Sequence, residues 1–296
     1  MQIDPSYPAL LREVEGFFQP QPDKPEETPA TILRALWFAA SGEPHSIAVV
    51  DGRPLPGIDP DGMARLKHLI ERKREGVPLA HLTGRQSFLG VELLAGPAAL
   101  IPRTETEILG RAALEYLMKR SAAPVVIDVC TGCGNLALAY AKHLPGARVY
   151  AADLSAEAVE LARRNAEFTG LAGRVKFFAG DLFAPLAGLG LEGKCDLVSC
   201  NPPYITSAKV PKMAPEISAH EPKLAFDGGA LGLSVLTRLF HDAPTFLKPG
   251  GALAFELGLG QGPLLYKRLL RLEWVENVEA HRDAHGEIRA LLAVHR

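Results

Sequence analysis

The feature that most constrains the fold is an alternation of two kinds of segment from residue 124 to the end of the chain. Short apolar runs rich in Val, Ile and Ala alternate with longer segments whose apolar residues recur every three or four positions. Short apolar runs are typical of strands buried on both faces, and the longer segments are typical of amphipathic helices. The runs predicted as successive strands are PVVIDVC, ARVYAADL, RVKFFAGDL, CDLVSCN and GALAFELG.

Alternating strands and helices form right-handed crossovers, and these build a mostly parallel sheet with helices on both faces. The last segment, WVENVEAHRDAHGEIRALLAVHR, adds two strands joined by a turn near His285 and Gly286. We therefore predict an α/β fold whose centre is a seven-stranded, mostly parallel, doubly wound sheet.

The N-terminal part of the chain has a different pattern. Proline-rich connectors occupy residues 19–29 and 52–62, and helical patterns follow them in TILRALWFAA and MARLKHLIERKREG. The sequence therefore predicts a small, mostly helical N-terminal domain ahead of the sheet domain, which a chain of 296 residues is long enough to contain.

Charge and apolar patterning argue against several classes of protein. The chain has 32 Lys and Arg against 34 Asp and Glu, a formal net charge of −2, so it lacks the overall positive charge that attracts a phosphate backbone. No apolar stretch approaches the ~18 residues of a membrane-spanning helix, and the start, MQIDPSYPAL, lacks the regions of a signal peptide. We expect a cytoplasmic protein that does not bind membranes, and its net charge disfavours nucleic acid as a partner.

Four cysteines raise the question of a metal site. Cys130 and Cys133 form a C-x-x-C pair, and Cys195 and Cys200 could supply two further thiolates. If the second pair lies at opposite ends of one strand, however, roughly 16 Å separates the two thiols, too far for one tetrahedral zinc ion. We expect buried or loop thiols in a reducing compartment and no metal.

Glycines and acids follow the first three predicted strands of the sheet. Gly132 and Gly134, in DVCTGCGN, let the backbone turn tightly and approach a ligand where the next helix begins. Asp153 ends the second strand, where a carboxylate can accept both hydroxyls of a ribose, and Asp181 ends the third, where it can accept the amino group of adenine. Together with Asp128, these residues predict a nucleoside pocket at the carboxyl edge of the sheet.

Two nucleoside-containing ligands match this pattern. Gly132, Gly134 and Ala137 satisfy the G-x-G-x-x-G/A pattern of dinucleotide folds, with an acid about 20 residues further on. A dinucleotide brings a pyrophosphate, which needs a helix N-terminus or cations, whereas S-adenosylmethionine brings a sulfonium and an ammonium, both positive. The acids favour S-adenosylmethionine; an NAD-dependent dehydrogenase and a non-catalytic binding module stay as alternatives.

The segment NPPY, residues 201–204, follows the fourth predicted strand. Pro202 and Pro203 lock φ and drive the preceding residues into extended conformations, so the segment is stiff. The Asn201 side-chain oxygen and the Pro202 carbonyl then form two fixed acceptors for a planar NH2 group, and Tyr204 supplies a flat wall for stacking. Binding both protons turns the nitrogen lone pair toward an electrophile, as methyl transfer requires.

These motifs resemble the class I S-adenosylmethionine-dependent methyltransferases, and within them the protein-glutamine N5-methyltransferases that modify the Gly-Gly-Gln loop of peptide chain release factors. NPPY alone is shared with methyltransferases acting on adenine N6, cytosine N4 or guanine N2. The flanking segments are more specific: GRQSFLGVELLAGPAALIPRTETE resembles the family's joining hairpin, and residues 221–233 match its E-P-x-x-A-x-x-G-G-x-x-G-L pattern.

The resemblance implies a domain division and a set of site residues. The division is a helical substrate-recognition domain over residues 1–83, a joining hairpin over 84–107 and an S-adenosylmethionine-binding domain over 108–296. The implied catalytic residues are Asn201, Pro202 and Tyr204. The implied cofactor-binding residues are Asp128, Thr131, Gly132, Gly134, Asp153, Leu154, Asp181, Leu182 and Asn201. The implied acceptor-binding residues are Phe88, Arg103, Pro203, Tyr204 and Glu221.

The resemblance also implies a release factor as the protein substrate, held in part by the N-terminal domain. The chain departs from the family pattern at Cys130 and Cys133, where glycine and serine or threonine are usual, and at Thr104, where proline is usual. The same chemistry on a small-molecule or nucleobase nitrogen is therefore the second interpretation of the sequence.

Overall fold

The computed structural model describes residues 4–21, 24–212 and 215–296. Five helices come first and pack around one apolar core that includes Leu36 and Leu66, both fully buried. Their bounds are α1 (Tyr7–Phe17), α2 (Pro29–Ala40), α3 (Ile47–Val50), α4 (Pro60–Arg74) and α5 (Leu79–Thr83).

The proline-rich connectors end where helices begin. α2 and α4 each carry a proline in the first turn, where the missing N–H breaks no helical hydrogen bond. Thr28 and Asp59 precede these prolines, and their side chains accept hydrogen bonds from backbone N–H groups of the first turn. Both predicted helices are thereby confirmed, while the domain boundaries at residues 83 and 107 stay a prediction.

A two-stranded antiparallel hairpin follows, formed by β1 (Arg85–Phe88) and β2 (Val91–Leu94). Its two turn residues, Leu89 and Gly90, have positive φ angles of 47° and 74°, as a two-residue turn that matches strand twist requires. The hairpin packs on the same apolar core as α6 (Thr106–Met118), which leads into the sheet domain.

The central sheet has seven strands in the order β5-β4-β3-β6-β7-β9-β8. Within this sheet, β3 to β7 pair in parallel, and β9 is antiparallel to both β7 and β8. The predicted seven-stranded, mostly parallel sheet and the C-terminal strand pair are confirmed. The strand bounds are β3 (Val125–Val129), β4 (Arg148–Asp153), β5 (Val175–Ala179), β6 (Cys195–Cys200), β7 (Leu247–Glu256), β8 (Val275–Arg282) and β9 (Ile288–His295).

Helices cover both faces of this sheet, so β3 and β6 are buried along their whole length. One apolar core lies between the sheet and α6 to α8, and a second lies between the sheet and the last two helices. Burying one large apolar side chain in such a core contributes about 1.5–3 kcal/mol. The remaining helices are α7 (Asn135–His143), α8 (Ala156–Phe168), α9 (Pro215–His220), α10 (Ser234–Phe246) and α11 (Gly262–Leu269).

The strand order reverses between β3 and β6. From β3 the chain runs outward through β4 and β5 on one side, then returns to place β6 against β3 on the other. Loops leave a reversal point in opposite directions and open a crevice at the carboxyl ends of the strands, where ligands bind in open α/β sheets. No helix within the described ranges has the length and apolar character needed to span a bilayer.

Candidate active site

The loop after β3 is fastened to the end of β4. The Gly132 N–H donates to Asp153 Oδ2 at 2.8 Å, and the Ser155 N–H donates to Asp153 Oδ1 at 2.9 Å. Burial raises the pKa of the Asp153 carboxyl, and the hydrogen bonds from these N–H groups oppose that rise. Asp153 therefore holds the loop, and each of its oxygens keeps lone pairs for a ligand.

Gly134 serves close packing between this loop and the next helix. Its φ is +84°, and a Cβ atom there would lie 3.1 Å from the Ala162 Cβ and 3.2 Å from the Phe177 ring. α7 begins at the following residue. Gly134 does not line the neighbouring cavity, although the sequence predicted it to bind the cofactor.

Asp128 also lies below the site rather than in it. Its side chain is fully buried in β3 and accepts hydrogen bonds from the hydroxyls of Thr131 and Ser199, both at 2.6 Å. Burial raises the pKa of Asp128 to about 6, against the opposing effect of these two hydroxyls. Asp128 thus ties the loop after β3 to β6, and although the sequence predicted it to bind the cofactor, it has no surface on the cavity.

A cavity, the first cavity, opens at the carboxyl ends of β3 to β6 and is closed on one side by residues 98–103, which follow the hairpin. Its polar lining carries three carboxylates, Asp153, Asp181 and Asp227, and Arg103 is its sole Lys or Arg among the described residues. This charge balance fits the cationic sulfonium and ammonium groups of S-adenosylmethionine better than a pyrophosphate. The predicted cofactor residues that line it are Thr131, Gly132, Asp153, Leu154, Asp181, Leu182 and Asn201.

Asp181 forms an ion pair with Arg238, which the sequence did not predict as a site residue. Arg238, on α10, donates to Asp181 Oδ2 at 2.8 Å, and both side chains are about half exposed. The remaining lone pairs of the carboxylate stay available to an adenine amino group. The local sequence around Arg238 is an ordinary amphipathic helix, so it contained no signal for this pair.

A second cavity lies on the other side of Asn201, which lines both. Its walls combine apolar residues such as Leu100, Ile217 and Phe226 with the buried carboxylate of Glu256. Pro202 and Tyr204 line this second cavity, whereas Pro203 lines the first. NPPY therefore forms the partition between the two spaces, and Asn201 stands where they meet.

Hydrogen bonds define how NPPY faces these cavities. Asn201 Nδ2 donates to the Thr106 hydroxyl at 3.1 Å, and within the described residues nothing donates to Asn201 Oδ1 or to the Pro202 carbonyl. The Tyr204 hydroxyl donates to Glu256 Oε1 at 3.0 Å. Burial and the nearby Glu256 carboxylate raise the pKa of Tyr204 well above its usual value, so this hydroxyl stays protonated.

Two glycines in the pattern at residues 221–233 allow the backbone of that segment to pack directly against NPPY. A Cβ on Gly228 would lie 2.5 Å from the Pro203 carbonyl oxygen, and one on Gly232 would lie 2.3 Å from the Tyr204 carbonyl oxygen. No side chain fits at these distances, so the close approach requires glycine. The segment is then held by backbone hydrogen bonds between Ile205 and Phe226 and between Gly228 and Ile205.

The residues expected to bind the acceptor lie in different places. Phe88 is 1% exposed and packs in the core under the hairpin, because its position on β1 faces inward. Glu221 is also buried and lines neither cavity; it pairs with Arg103, and its Oε2 accepts from the Ile101 N–H at 2.9 Å. Glu221 thus holds the I-P-R segment, and Arg103 is the member of this pair that lines both cavities.

The cysteines are all free thiols. Cys130 lines the first cavity, and Cys133 is buried behind the loop, where burial raises the pKa of its thiol to about 12. No group of His, Cys, Asp and Glu within the described ranges has the arrangement of a metal site.

Comparison with known proteins identifies the relatives of this chain. The methyltransferase small domain family matches residues 108–233. A release factor glutamine methyltransferase of Moorella thermoacetica is 39% identical over 260 residues, covering 88% of each chain. One from Deinococcus radiodurans is 43% identical over 236 residues, covering 80% of this chain and 81% of that one.

Solved structures agree on the fold. The hMettl16 catalytic domain, solved in complex with MAT2A 3'UTR hairpin 6, is 18% identical with a TM-score of 0.55 and covers 69% of this chain and 76% of its own. At that identity the likeness extends to the fold alone. The likeness to the two relatives is much closer, at 39% and 43% identity over four-fifths or more of this chain. This chain therefore belongs to the release factor glutamine methyltransferase family.

Proposed function

We propose that this protein transfers the methyl group of S-adenosyl-L-methionine to the side-chain amide nitrogen of a glutamine in a peptide chain release factor, leaving S-adenosyl-L-homocysteine. The observation that carries the proposal is the position of Asn201. Its side chain lies where two cavities meet, and both its oxygen and the adjacent Pro202 carbonyl are open acceptors within the described residues.

The first cavity suits the cofactor. When bound, S-adenosylmethionine supplies a methyl group already activated by the sulfonium charge. Asp153 has the position and lone pairs to accept the ribose hydroxyls, Asp181 to accept the adenine amino group, and Leu154 and Leu182 to contact the base. Gly132, which has no side chain, lets the backbone of the loop line the cavity, and three carboxylates on the lining match the positive charge of the ligand.

NPPY acts on the acceptor nitrogen. The Asn201 oxygen and the Pro202 carbonyl accept the two N–H groups of a planar amide, which turns the nitrogen lone pair toward the first cavity. Positive charge develops on that nitrogen during transfer, and both acceptors then bind it more strongly. The Tyr204 ring, held by Glu256, forms a flat wall of the second cavity against which an amide plane stacks. These residues orient the acceptor and stabilise the developing charge, and no strong base is required for the displacement. The C–S bond of the sulfonium breaks as the N–C bond forms, and the strongly acidic N-methylated cation then releases its extra proton to water.

A glutamine side chain fits the second cavity in chemistry. Apolar residues of the lining can contact the methylene groups of glutamine, and polar groups for its amide are supplied by NPPY and Glu256, with Arg103, Glu105 and Arg289 also on the lining. The names of the relatives support a release factor as the protein that carries this glutamine. The net charge of −2 gives no support to a nucleic-acid acceptor.

The test uses the purified protein, S-adenosylmethionine and a release factor. We expect a mass gain of one methyl group on the release factor, located on a glutamine by peptide fragmentation and absent when that glutamine is replaced. Asn201→Ala should lower kcat/KM by about 10²- to 10³-fold, the usual effect of removing one stabilising contact in a transition state. Asn277→Ala, on the exposed face of β8, is the matched control.

Two results would contradict the proposal. One is the absence of transfer to any release factor by protein that binds S-adenosylhomocysteine. The other is transfer to a small molecule or nucleobase at a higher kcat/KM than to a release factor, which would keep the chemistry and change the acceptor.

A further inference from the structure

We propose that Thr106 and Glu256 are positioning residues that determine which end of the Asn201 amide faces the junction of the two cavities. They hold the NH2 group of Asn201 inward, so the oxygen faces the acceptor nitrogen. This inference rests on the proposed function of Asn201 and adds two residues to it.

The residues come together from three elements. Thr106 is the first residue of α6 and is 1% exposed, and Glu256 is the last residue of β7 and is 2% exposed. Asn201 directly follows β6. The Asn201 Nδ2 to Thr106 Oγ1 distance is 3.1 Å, and the Thr106 hydroxyl lies beside the Glu256 carboxylate and lowers its pKa. The order of the contacts is therefore Asn201, Thr106, Glu256.

The direction of each hydrogen bond follows from the number of protons. An ionised carboxylate accepts hydrogen bonds and donates none, and a threonine hydroxyl has one proton to donate. Glu256 Oε1 accepts from the Tyr204 hydroxyl, while Oε2 makes no aligned hydrogen bond within the described residues and so stays open to the Thr106 proton. Once that proton points at Glu256, the Thr106 oxygen can offer only lone pairs to Asn201.

Lone pairs on Thr106 select one of the two orientations of the Asn201 amide. An NH2 group facing Thr106 forms a hydrogen bond, whereas an oxygen facing Thr106 would oppose two sets of lone pairs. The selected orientation leaves Asn201 Oδ1 as the group at the junction of the cavities. The reversed orientation would present an NH2 to the NH2 of the acceptor, and the two could not bond.

The groups around Glu256 support its ionised form against the effect of burial, because the hydroxyls of Thr106 and Tyr204 and the charge of Arg289 lower its pKa. Burying a carboxylate disfavours its charged form, and burial is the main reason why the pKa of Glu256 is raised. Arg289 stabilises the charge, and Glu105 opposes it. A neutral residue in this place would avoid the cost of burial but would not compel Thr106 to donate away from Asn201. A carboxylate at the end of this series of hydrogen bonds provides that directional constraint.

Three variants test the inference in the full-length protein. Thr106→Val keeps the shape and removes the acceptor, and we expect kcat to fall roughly 10- to 100-fold, as loss of a buried hydrogen-bond partner does. Thr106→Ser restores the hydroxyl and should stay within about threefold of wild type. Glu256→Gln brings an NH2 that can donate to Thr106, which frees the Thr106 proton for the Asn201 oxygen, so kcat should fall by a similar factor.

Three readouts distinguish positioning from damage to the fold. Thr106 lines the first cavity, but valine keeps its shape, so the KM for S-adenosylmethionine and the Kd for S-adenosylhomocysteine should stay within about twofold of wild type. Thr106→Ser should recover kcat. Thr237→Val, an exposed threonine on α10, is the matched control for the valine substitution.

The results separate this inference from the proposed function. If Thr106→Val keeps the wild-type kcat on an acceptor that wild type methylates, the positioning role is overturned and the methyltransferase assignment stands. If Thr106→Ser is as slow as Thr106→Val, the hydroxyl is not what matters and the inference is again overturned. If wild type methylates another amide instead of a release factor, the same variants measured on that amide decide the inference independently.

Discussion

The two cavities that meet at Asn201 are built in different ways. The core of the first is formed by loops that follow the parallel strands β3 to β6, and two of its three acids, Asp153 and Asp181, stand at or just after the ends of β4 and β5. The second is assembled from segments far apart in the chain: the region before α6, NPPY, the 225–226 segment, and the ends of β7 and β9. The first cavity therefore depends mainly on the sheet edge, whereas the second depends on several segments that folding brings together.

This difference predicts that substitutions in the first cavity weaken S-adenosylhomocysteine binding, whereas substitutions in the second cavity leave that binding unchanged. Asp153→Ala removes the acid that holds the loop and that we propose accepts the two ribose hydroxyls. Loss of two hydrogen bonds to a charged group should weaken S-adenosylhomocysteine binding by about 10³-fold. Calorimetry measures the Kd directly.

Asp51→Ala, at an exposed position in the N-terminal helical region, is the control for loss of an aspartate. If Asp153→Ala bound S-adenosylhomocysteine as wild type does, the first cavity would not be the cofactor site.

Asp128, the acid beneath the first cavity, should make the free energy of unfolding depend on pH. The pKa of Asp128 is raised from 3.8 to about 6, so its contribution to stability is complete below pH 3.8 and is lost as the pH rises through about 6. A pKa difference of about two, at 1.36 kcal/mol for each unit of pH, corresponds to about 3 kcal/mol.

Asp128→Asn cannot ionise. Denaturant unfolding of both proteins should show the free energy of unfolding of Asp128→Asn gaining about 3 kcal/mol on that of wild type between pH 3.8 and pH 7. Equal pH dependence in the two proteins would mean that Asp128 is not the group that titrates.

The packing of backbone on NPPY gives a prediction for the second cavity. Gly232→Ala should lower the free energy of unfolding by about 2 kcal/mol and reduce kcat, because the new Cβ would lie 2.3 Å from the Tyr204 carbonyl oxygen. Gly250→Ala has a similar φ, +72° against +68°, but its Cβ would meet nothing within 4 Å.

The pair therefore separates the close approach from backbone strain. Gly232→Ala should lose activity on the acceptor and keep its affinity for S-adenosylhomocysteine, whereas Gly250→Ala should lose neither. Equal unfolding free energies for the two variants would show that the close approach at residue 232 has no energetic consequence.

The smallest effect is expected at the rim of the first cavity. Arg238 and Asp181 form an ion pair in which both side chains are about half exposed, and exposed pairs of this kind contribute about 0.2–1 kcal/mol. Arg238→Ala should change the free energy of unfolding by no more than that, and added salt should reduce the difference further. A loss of several kcal/mol would mean that Arg238 has a structural role in the cavity wall.

Much of the first cavity was predictable because its signals are local. A strand buried on both faces appears as a continuous apolar run, and the residue that follows it necessarily lies at the sheet edge. For that reason the sequence predicts Asp153, Asp181 and Asn201 at one opening, and each of them lines the first cavity. The stiffness of NPPY is likewise a local property of its two prolines.

The residues that sequence reading placed differently share one feature: burial depends on neighbours from elsewhere in the chain. Asp128 and Gly134 lie in the same motif as Gly132, yet β6 covers the first and α8 packs on the second. Phe88 belongs to the hairpin segment that the sequence places at the site, but its side chain is buried in the core under the hairpin. The motif determines that a loop exists, and the packing around it determines which of its residues a ligand can touch.

The sequence alone determined the sheet, its order of helices and strands, and the two rigid acceptors after β6, because periodicity and proline geometry act over a few residues. Tertiary structure decided how those acceptors face. Thr106 lies 95 residues before Asn201, and Glu256 lies 52 residues after Tyr204, and no local pattern connects them. Hydrogen bonds between such distant residues exist only after folding has brought α6, β6 and β7 together, and they give the Asn201 amide its direction.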